Sequence, residues 1–377
     1  MANPDANNDA DTSININTDS SRYGTSANNT KLAINNNINC ANNTKTVIEN
    51  GASKSSTVGY VYSPRLMNNA NLLPSNRFRS TIVHSLIQAY GLCKHLKIIP
   101  PVKTTLDDLT EFHSIDYIQF ITSASALQIT DNEEFTNQCA DFGLTDDCTM
   151  FPGISQYIHS IAGASLACAH GLMAGYSRMI NWDGGRHHSK KSTANGFCYV
   201  NDIVLCILKL QNVFPMILYL DVDVHHGDGV AEAFAYTRDV YTCSFHLKDT
   251  GFFPGTGSTA ECGAGDGIHA TLNVPLKPGL ETRQFKKCFE SVVARLINAY
   301  KPSAIVMQCG CDGISGDPLG QWNLGVEAIP DAVAFVAAYN IPTVFLVITC
   351  GNPGRWWVYQ CECRTMLGQL HSQNCRC

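Results

Sequence analysis

Two stretches of the chain end in residues that can bind a metal ion or transfer a proton. The stretch Asp221 to Gly229 reads Asp-Val-Asp-Val-His-His-Gly-Asp-Gly and follows the apolar run Met216–Leu220. The stretch Cys309 to Asp312 follows a second apolar run, Ile305–Gln308. Two carboxylates and one imidazole on converging strand ends can hold Zn²⁺ and leave one coordination position open for water. This arrangement favours metal-assisted hydrolysis.

A third cluster ends in two adjacent histidines, His187 and His188, and begins at Asn181. Only the apolar pair Met179-Ile180 precedes it, which is too short to predict a strand, so we expect a loop. Two neutral imidazoles in such a loop could take up and deliver protons if acidic residues orient their far nitrogens.

Alternation along the first stretch indicates which side chains can point together. Asp221, Asp223 and His225 lie on one side of the chain while it stays extended. One carboxylate and His225 can then bind the metal, while the other carboxylate supports the site from outside. Asp221 and Asp228 are available to orient the histidine pair.

Several neighbouring residues have structural interpretations. The spacing of Cys309 and Cys311 is more typical of small packing residues than of a thiolate zinc site, and a lone histidine such as His246 is usually structural. The segment Gly251–Gly257 could be an ordinary turn, or could present aromatic rings to a slender apolar substrate stem; the residues alone leave both open.

Apolar strands alternating with amphipathic helices must position these clusters. The helical patterns cover Asn201–Leu210 and Thr282–Tyr300. Apolar and polar residues alternate little within the strands, which is typical of a parallel sheet covered on both faces. The alternating order of strands and helices predicts an α/β fold with a mostly parallel sheet. The predicted strands are Gly59–Tyr62, Met216–Leu220, Val240–Phe245, Ser303–Gln308 and Thr343–Val347.

The composition excludes several classes of protein. The 377 residues are 45% hydrophobic with a formal net charge of −6, so a wholly disordered chain is excluded and no footprint for direct nucleic-acid binding is expected. We find neither a secretory leader nor an apolar run near the ~20 residues that span a bilayer, and expect an intracellular protein without membrane contact. The 17 cysteines are expected to be reduced.

Five ordered motifs resemble the class I zinc-dependent histone deacetylases, and the resemblance runs from about Gly59 to Val347. The segment Arg79–Leu92 is similar to one subtype in particular. The resemblance implies the arginase-deacetylase α/β fold, a central mostly parallel sheet with helices on both faces. The five motifs are Gly184–His188, Gly196–Asp202, Asp221–Gly229, Gly251–Gly257 and Gly310–Pro318.

The resemblance also implies roles for individual residues. His188 would be the main general base towards the attacking water, and His187 or His188 would protonate the departing lysine amine. The metal ligands would be Asp223, His225 and Asp312, holding Zn²⁺ or alternatively Fe²⁺; the catalytic imidazoles would be His187 and His188, paired with Asp221 and Asp228.

Substrate contacts are implied in the same way. Gly196, Phe197 and Phe253 would wall a narrow tunnel around acetyl-lysine, and Asp147 would accept substrate N–H groups at the rim. The implied partners are acetylated lysine peptides, histone tails, and corepressor or chromatin proteins, in the nucleus and also in the cytoplasm. A structural K⁺ site would use Asp221, Asp223, His225, Ser244 and Phe245. The chain departs from the family pattern at Arg186, Ser189 and Cys311.

The two ends of the chain differ from the catalytic segment 59–347. Residues 1–58 are expected to be a disordered Asn-rich arm, with 14 Asn in the first 50 positions. Residues 348–377 form an aberrant Cys-rich tail in place of the family's Gly-rich segment with its tyrosine. Reading one base later from Arg355 permits Gly-Gly-Gly-Tyr, so we interpret the tail as a frame shift between Val347 and Arg355.

Two alternatives to an active deacetylase stay open at the sequence level. A catalytically silent nuclear scaffold could keep the metal or the acyl-lysine tunnel without the transition-state tyrosine. A two-manganese ureohydrolase on the same fold would need additional bridging carboxylates near His187 and His225.

Overall fold

The computed structural model describes residues 58–76, 78–123 and 133–347. The tail 348–377 and residues 1–57 of the expected arm lie outside the described residues. The last residue of that arm, Val58, belongs instead to the first strand, because its backbone pairs with Arg178 in the sheet.

A single eight-stranded sheet forms the centre of the fold, and all its pairings are parallel. The spatial order is β2-β1-β3-β8-β7-β4-β5-β6. The predicted fold class is therefore confirmed. The strands are β1 (Val58–Val61), β2 (Lys97–Ile99), β3 (Arg178–Asn181), β4 (Ile217–Asp221), β5 (Val240–Leu247), β6 (Thr271–Leu276), β7 (Ala304–Gln308) and β8 (Thr343–Leu346).

Helices cover both faces of the sheet. Ile217 and Tyr219 of β4 belong to a buried cluster with α6 and α7, whereas Phe245 of β5 contacts Phe285 and Phe289 of α9. Among the described residues we find no helix that combines the length and the hydropathy of a membrane span. The helices are α1 (Pro64–Ala70), α2 (Arg79–Ala89), α3 (Leu106–Thr110), α4 (Ile115–Ser123), α5 (Glu133–Asp141), α6 (Ile154–Met173), α7 (Asp202–Gln211), α8 (Asp228–Ala233), α9 (Thr282–Tyr300) and α10 (Ala328–Ala337).

The two predicted helices are present with small differences in their bounds. The helix α9 has the predicted ends, whereas α7 begins and ends one residue later than predicted. Asn201 is its N-cap: the side-chain oxygen accepts the N–H of Val204 at 3.0 Å, which satisfies a donor of the first turn.

The segment before the histidine pair is a strand, so the prediction of a loop starting at Asn181 was wrong at its first residue. β3 pairs with β1 on one side and β8 on the other. Its polar end residues are buried because they have partners: Arg178 donates to Ala337 O at 2.9 Å, and Asn181 donates to the Ser165 hydroxyl at 2.9 Å. Because these two end residues are polar, the hydrophobic pattern of the sequence does not mark them as part of a buried strand.

Candidate metal centre and active-site cavity

The candidate metal ligands come together because β4 and β7 are neighbours in the sheet. Asp221 and Gln308, the last residues of these strands, lie opposite each other. Asp223 and Asp312 follow these two strand ends and therefore emerge at the same edge of the sheet. The carboxyl edge of a parallel sheet is the usual place for ligands in α/β proteins.

Asp223, His225 and Asp312 form one compact cluster whose ligand-capable atoms all lie within 4.8 Å of one another. The Nδ1 atom of His225 is 3.0 Å from Oδ1 of Asp223 and 2.9 Å from Oδ2 of Asp312. Both carboxylates are buried, and His225 is partly exposed. Within 58–76, 78–123 and 133–347 this is the only group of three or more His, Cys, Asp or Glu side chains suited to a metal ion.

Neighbouring amides orient the two carboxylates. The Nε2 atom of Gln308 donates to Oδ2 of Asp223 at 3.0 Å, and the N–H of Val224 donates to Oδ1 of Asp312 at 2.9 Å. Gly310 lies against Asp223 so closely that a Cβ atom there would be 2.3 Å from Oδ2. The backbone and Gln308 thus orient the two carboxylates.

The charges of the cluster depend on one another. Burial raises the pKa of Asp312 to about 7, and the negative charge of Asp223 adds to the rise. Burial also acts to raise the pKa of Asp223, but the charge of His187 and the hydrogen bond from His225 outweigh it and lower this pKa far below its ordinary value. Two carboxylates this close in a buried setting favour a cation, so the donor set fits a divalent metal ion.

His187 is paired with the carboxylate at the end of β4. Its Nδ1 atom is 2.8 Å from Oδ2 of Asp221, and the same oxygen accepts the hydroxyl of Tyr219 at 2.6 Å. Its Nε2 atom is 3.8 Å from Oδ2 of Asp223. Burial lowers the pKa of His187, but the charges of Asp221 and Asp223 outweigh burial and raise it to about 9.

His188 is paired with a different carboxylate, and its pKa is shifted in the opposite direction from that of His187. Its Nδ1 atom is 2.7 Å from Oδ1 of Asp228. Burial lowers the pKa of His188 to about 4, and the positive charge of His187 adds to this effect. The ring is therefore neutral near pH 7 and can accept a proton at Nε2.

The substrate-binding candidates surround a cavity of about 240 Å³ above the cluster. Phe253 is 38% exposed at its mouth, and its ring lies edge-on to His188 with centroids 4.9 Å apart. Two larger depressions, lined by residues of α9 with α10 and by residues near Ser63 and His159, contain none of these side chains. The cavity is lined by Asp147, His187, His188, Gly196, Phe197, Asp223, His225, Phe253, Asp312 and Leu319.

The residues with structural interpretations lie around this site. Cys309 and Cys311 are buried, and each thiol donates to a backbone carbonyl, Met307 O and Cys309 O respectively. The cysteines of the described ranges are free thiols. His246 is buried between Ser244 and the carbonyl of Gly257. These contacts support packing and positioning roles.

Sequence reasoning assigned no individual role to three residues that the structure places at the site. Gln308 was assigned only to a strand, although a polar residue at the end of an apolar run is a usable signal. Phe252 stacks on His225 with ring centroids 5.1 Å apart and an interplanar angle of 5°. Leu319 reaches the cavity from the loop after Asp312 and has no signal in a single sequence.

Known proteins share this sequence pattern over most of the chain. A family model described as the histone deacetylase domain matches residues 73–351. Histone deacetylase 8 of Danio rerio is 39% identical over 324 residues, which cover 85% of this chain and 84% of that protein. Histone deacetylase 8 of Xenopus tropicalis is 39% identical over 285 residues, covering 74% and 76%. Histone deacetylase HDAC1 of Drosophila melanogaster is 41% identical over 293 residues, covering 76% and 55%.

Proposed function

Because the chain belongs to the class I histone deacetylase family, we propose that its cavity hydrolyses ε-N-acetyl-lysine in proteins to lysine and acetate, with histone tails as the substrate class. The subtype that Arg79–Leu92 resembles is histone deacetylase 8, and this expectation is confirmed. One observation carries the proposal: a metal-ligating cluster and two carboxylate-paired histidines line the same narrow cavity.

We assign the catalytic metal of the family to Asp223, His225 and Asp312, with Zn²⁺ as the native ion and Fe²⁺ as the alternative. When bound, the ion would polarise the acetamide carbonyl and acidify a water molecule. The chemistry of the donor set supports this assignment, since one imidazole and two carboxylates are typical ligands of an open hydrolytic site.

The histidine pair divides the proton chemistry. His188, neutral and held at Nδ1 by Asp228, presents Nε2 as the base that removes a proton from the attacking water. The charge of Asp221 outweighs burial and raises the pKa of His187, and the ring, held at Nδ1 by that carboxylate, stabilises negative charge that develops on the acetamide oxygen. The departing lysine amine takes its proton from one of these two rings.

The remaining cavity residues bind the substrate. Phe197 and Phe253 enclose the methylene stem of acetyl-lysine, and the absence of a side chain at Gly196 leaves space beside His188, because a Cβ there would be 2.4 Å from that ring. Asp147 lies at the cavity and accepts substrate backbone N–H groups.

Finer assignments stay predictions that rest on family resemblance. These are a catalytic domain spanning 59–347, a nuclear location with a cytoplasmic fraction, corepressor or chromatin partners, and a K⁺ site near Ser244. The ureohydrolase alternative is less well supported, since it needs additional bridging carboxylates for a second metal ion. The described residues contain one group suited to a metal ion, with two carboxylates.

Metal content and turnover together test the proposal. The purified chain should bind one divalent ion and cleave a fluorogenic acetyl-lysine peptide, and a chelator should abolish cleavage. Asp223→Ala and Asp312→Ala should lose the ion, while Asp107→Ala, at an exposed position on α3, should not. Metal binding without cleavage would favour the silent scaffold, and equal metal binding by all variants would refute the assigned centre.

A further inference from the structure

Two buried histidines outside the hydrolytic machinery hold the loop 251–258. His226 and His246 lie with ring centroids 4.7 Å apart. The Nδ1 atom of His226 is 2.8 Å from the hydroxyl of Thr256, and Nε2 of His246 is 2.8 Å from the carbonyl oxygen of Gly257. A carbonyl oxygen only accepts, so His246 carries its proton on Nε2 and donates it to the loop.

The fit between these rings and the loop is tight. Gly257 has a φ of +84°, which favours glycine, and a Cβ atom there would be 2.3 Å from Nε2 of His246 and 2.7 Å from Cγ of His226. The rings and the loop are therefore packed without room for a side chain at this position.

Charged side chains fix the same part of the loop. Lys248 donates to the carbonyl oxygens of Gly255 and Thr256 at 2.8 and 3.1 Å. Glu261 accepts the backbone N–H groups of residues 257 and 258, each at 2.9 Å. These four hydrogen bonds, together with the two histidine contacts, hold this part of the loop in one conformation.

The other end of the loop forms the wall of the cavity. Phe252 stacks on His225, and Phe253 lies edge-on to His188. His225 and His226 are consecutive, so one dipeptide contacts the loop twice: His225 through Phe252, and His226 through Thr256. The metal-ligating cluster and the cavity wall are thereby connected through direct side-chain contacts.

We propose that His226 and His246 are positioning residues that hold the Phe252-Phe253 wall at a fixed distance from the metal centre, so that the cavity accepts the slender stem of an acyl-lysine. The inference rests on the proposed function, because it takes acyl-lysine as the ligand. It assigns specificity to residues that touch neither the metal nor the substrate.

Substitutions at Thr256 test this role in the full chain loaded with Zn²⁺. Thr256→Val removes the hydroxyl that contacts His226, Thr256→Ser retains it, and Thr250→Val makes the same exchange at an exposed position next to the loop. We would measure the Kd of a fluorescent ε-N-acetyl-lysine peptide, the Zn²⁺ affinity against a competing chelator, and amide hydrogen exchange over residues 251–257.

Thr256→Val should weaken peptide binding about fivefold and speed exchange in the loop, while Zn²⁺ affinity stays at the parental value. Thr256→Ser and Thr250→Val should match the parent. Should Thr256→Val not fold, Lys248→Met removes two hydrogen bonds to the same loop from a partly exposed position and is expected to have the same effects.

If Thr256→Val keeps the peptide affinity and the hydrogen exchange of the parent, the positioning role is overturned. An equal loss of peptide affinity in Thr250→Val would overturn it as well. A parallel fall in Zn²⁺ affinity would also overturn it, because the residue would then support the metal centre itself. A parent that binds no peptide would refute the proposed function, whereas the exchange comparison would still decide whether Thr256 holds the loop.

Discussion

The imidazole rings of His187 and His188 lie with centroids 3.9 Å apart, yet each is bound to its own carboxylate. The carboxylates come from different elements, the end of β4 and the start of α8. One ring is driven towards the charged form and the other towards the neutral form, with pKa values near 9 and 4. Pairs of titratable groups whose pKa values are pushed apart are suited to separate acid and base roles.

The carboxylate behind the base should control turnover. In Asp228→Asn the His188 ring loses the negative partner that orients it and stabilises its protonated form, so kcat should fall by roughly 10²- to 10⁴-fold. Zn²⁺ affinity should stay near the parental value because Asp228 does not belong to the metal cluster. Steady-state kinetics with an acetyl-lysine peptide measures the effect. The control is Asp239→Asn, an exposed position; equal rates in both variants would argue against His188 as the base.

The amide that orients Asp223 should tune metal affinity. Gln308→Leu removes the Nε2 donor to Asp223 and the Oε1 acceptor for the N–H of Gly310. Loss of such an outer contact typically weakens metal binding by about 10- to 100-fold. Competition with a chelator measures the affinity, and Gln88→Leu on the exposed side of α2 serves as the control. Unchanged affinity in Gln308→Leu would mean that the backbone alone orients Asp223.

The clustering of the three candidate metal ligands was predictable because their signal is local. Asp223, His225 and Asp312 follow apolar strands, and parallel strands end at one edge of the sheet. The position of Gln308 carried a signal, but its contact with Asp223 and the contact of His226 with Thr256 could not be predicted, because these partners lie 85 and 30 positions away along the chain. A long-range contact depends on the packing of whole elements, which residue types and periodicity do not encode.

The strand β3 illustrates the same limit within the fold. Its polar ends are buried by hydrogen bonds to α10 and α6, so hydrophobic patterning underestimates its length. By contrast, the amphipathic pattern of α9 is complete within its own 19 residues, and both of its ends were predicted. Local periodicity specifies elements reliably where burial and polarity agree.

A buried neutral histidine should make stability depend on pH. His113 accepts the N–H of Asn201 at Nε2 and donates from Nδ1 to Lys191 O, at 3.0 and 3.2 Å. Burial lowers its pKa to about 4 in the folded chain, whereas the unfolded value is near 6.5. The unfolded state therefore binds the extra proton between these values, and the stabilising contribution present above pH 6.5 is lost as the pH falls towards 4.

The size of this effect is roughly 3 kcal/mol from His113 at pH 4 relative to pH 7. Urea unfolding at pH 4.5, 5.5 and 6.5 should show a smaller pH slope in His113→Gln than in the parent. His95→Gln, at an exposed position, should keep the parental slope. A parental slope in His113→Gln would show that other groups account for the pH dependence.

The reading frame of the tail should decide the rate of turnover. The segment from Arg355 permits Gly-Gly-Gly-Tyr when it is read one base later, and the resemblance implies that this tyrosine donates a hydrogen bond to the developing oxyanion. Losing one such donor costs on the order of 10²- to 10³-fold in rate. The turnover rate of a chain expressed in the shifted frame should therefore be higher than that of the chain as written by about that factor. The Zn²⁺ affinities of the two chains should be equal, because Asp223, His225 and Asp312 precede the tail. Substituting the restored tyrosine by phenylalanine should remove the gain. Equal rates in both frames would show that the written chain supplies the oxyanion donor from another residue.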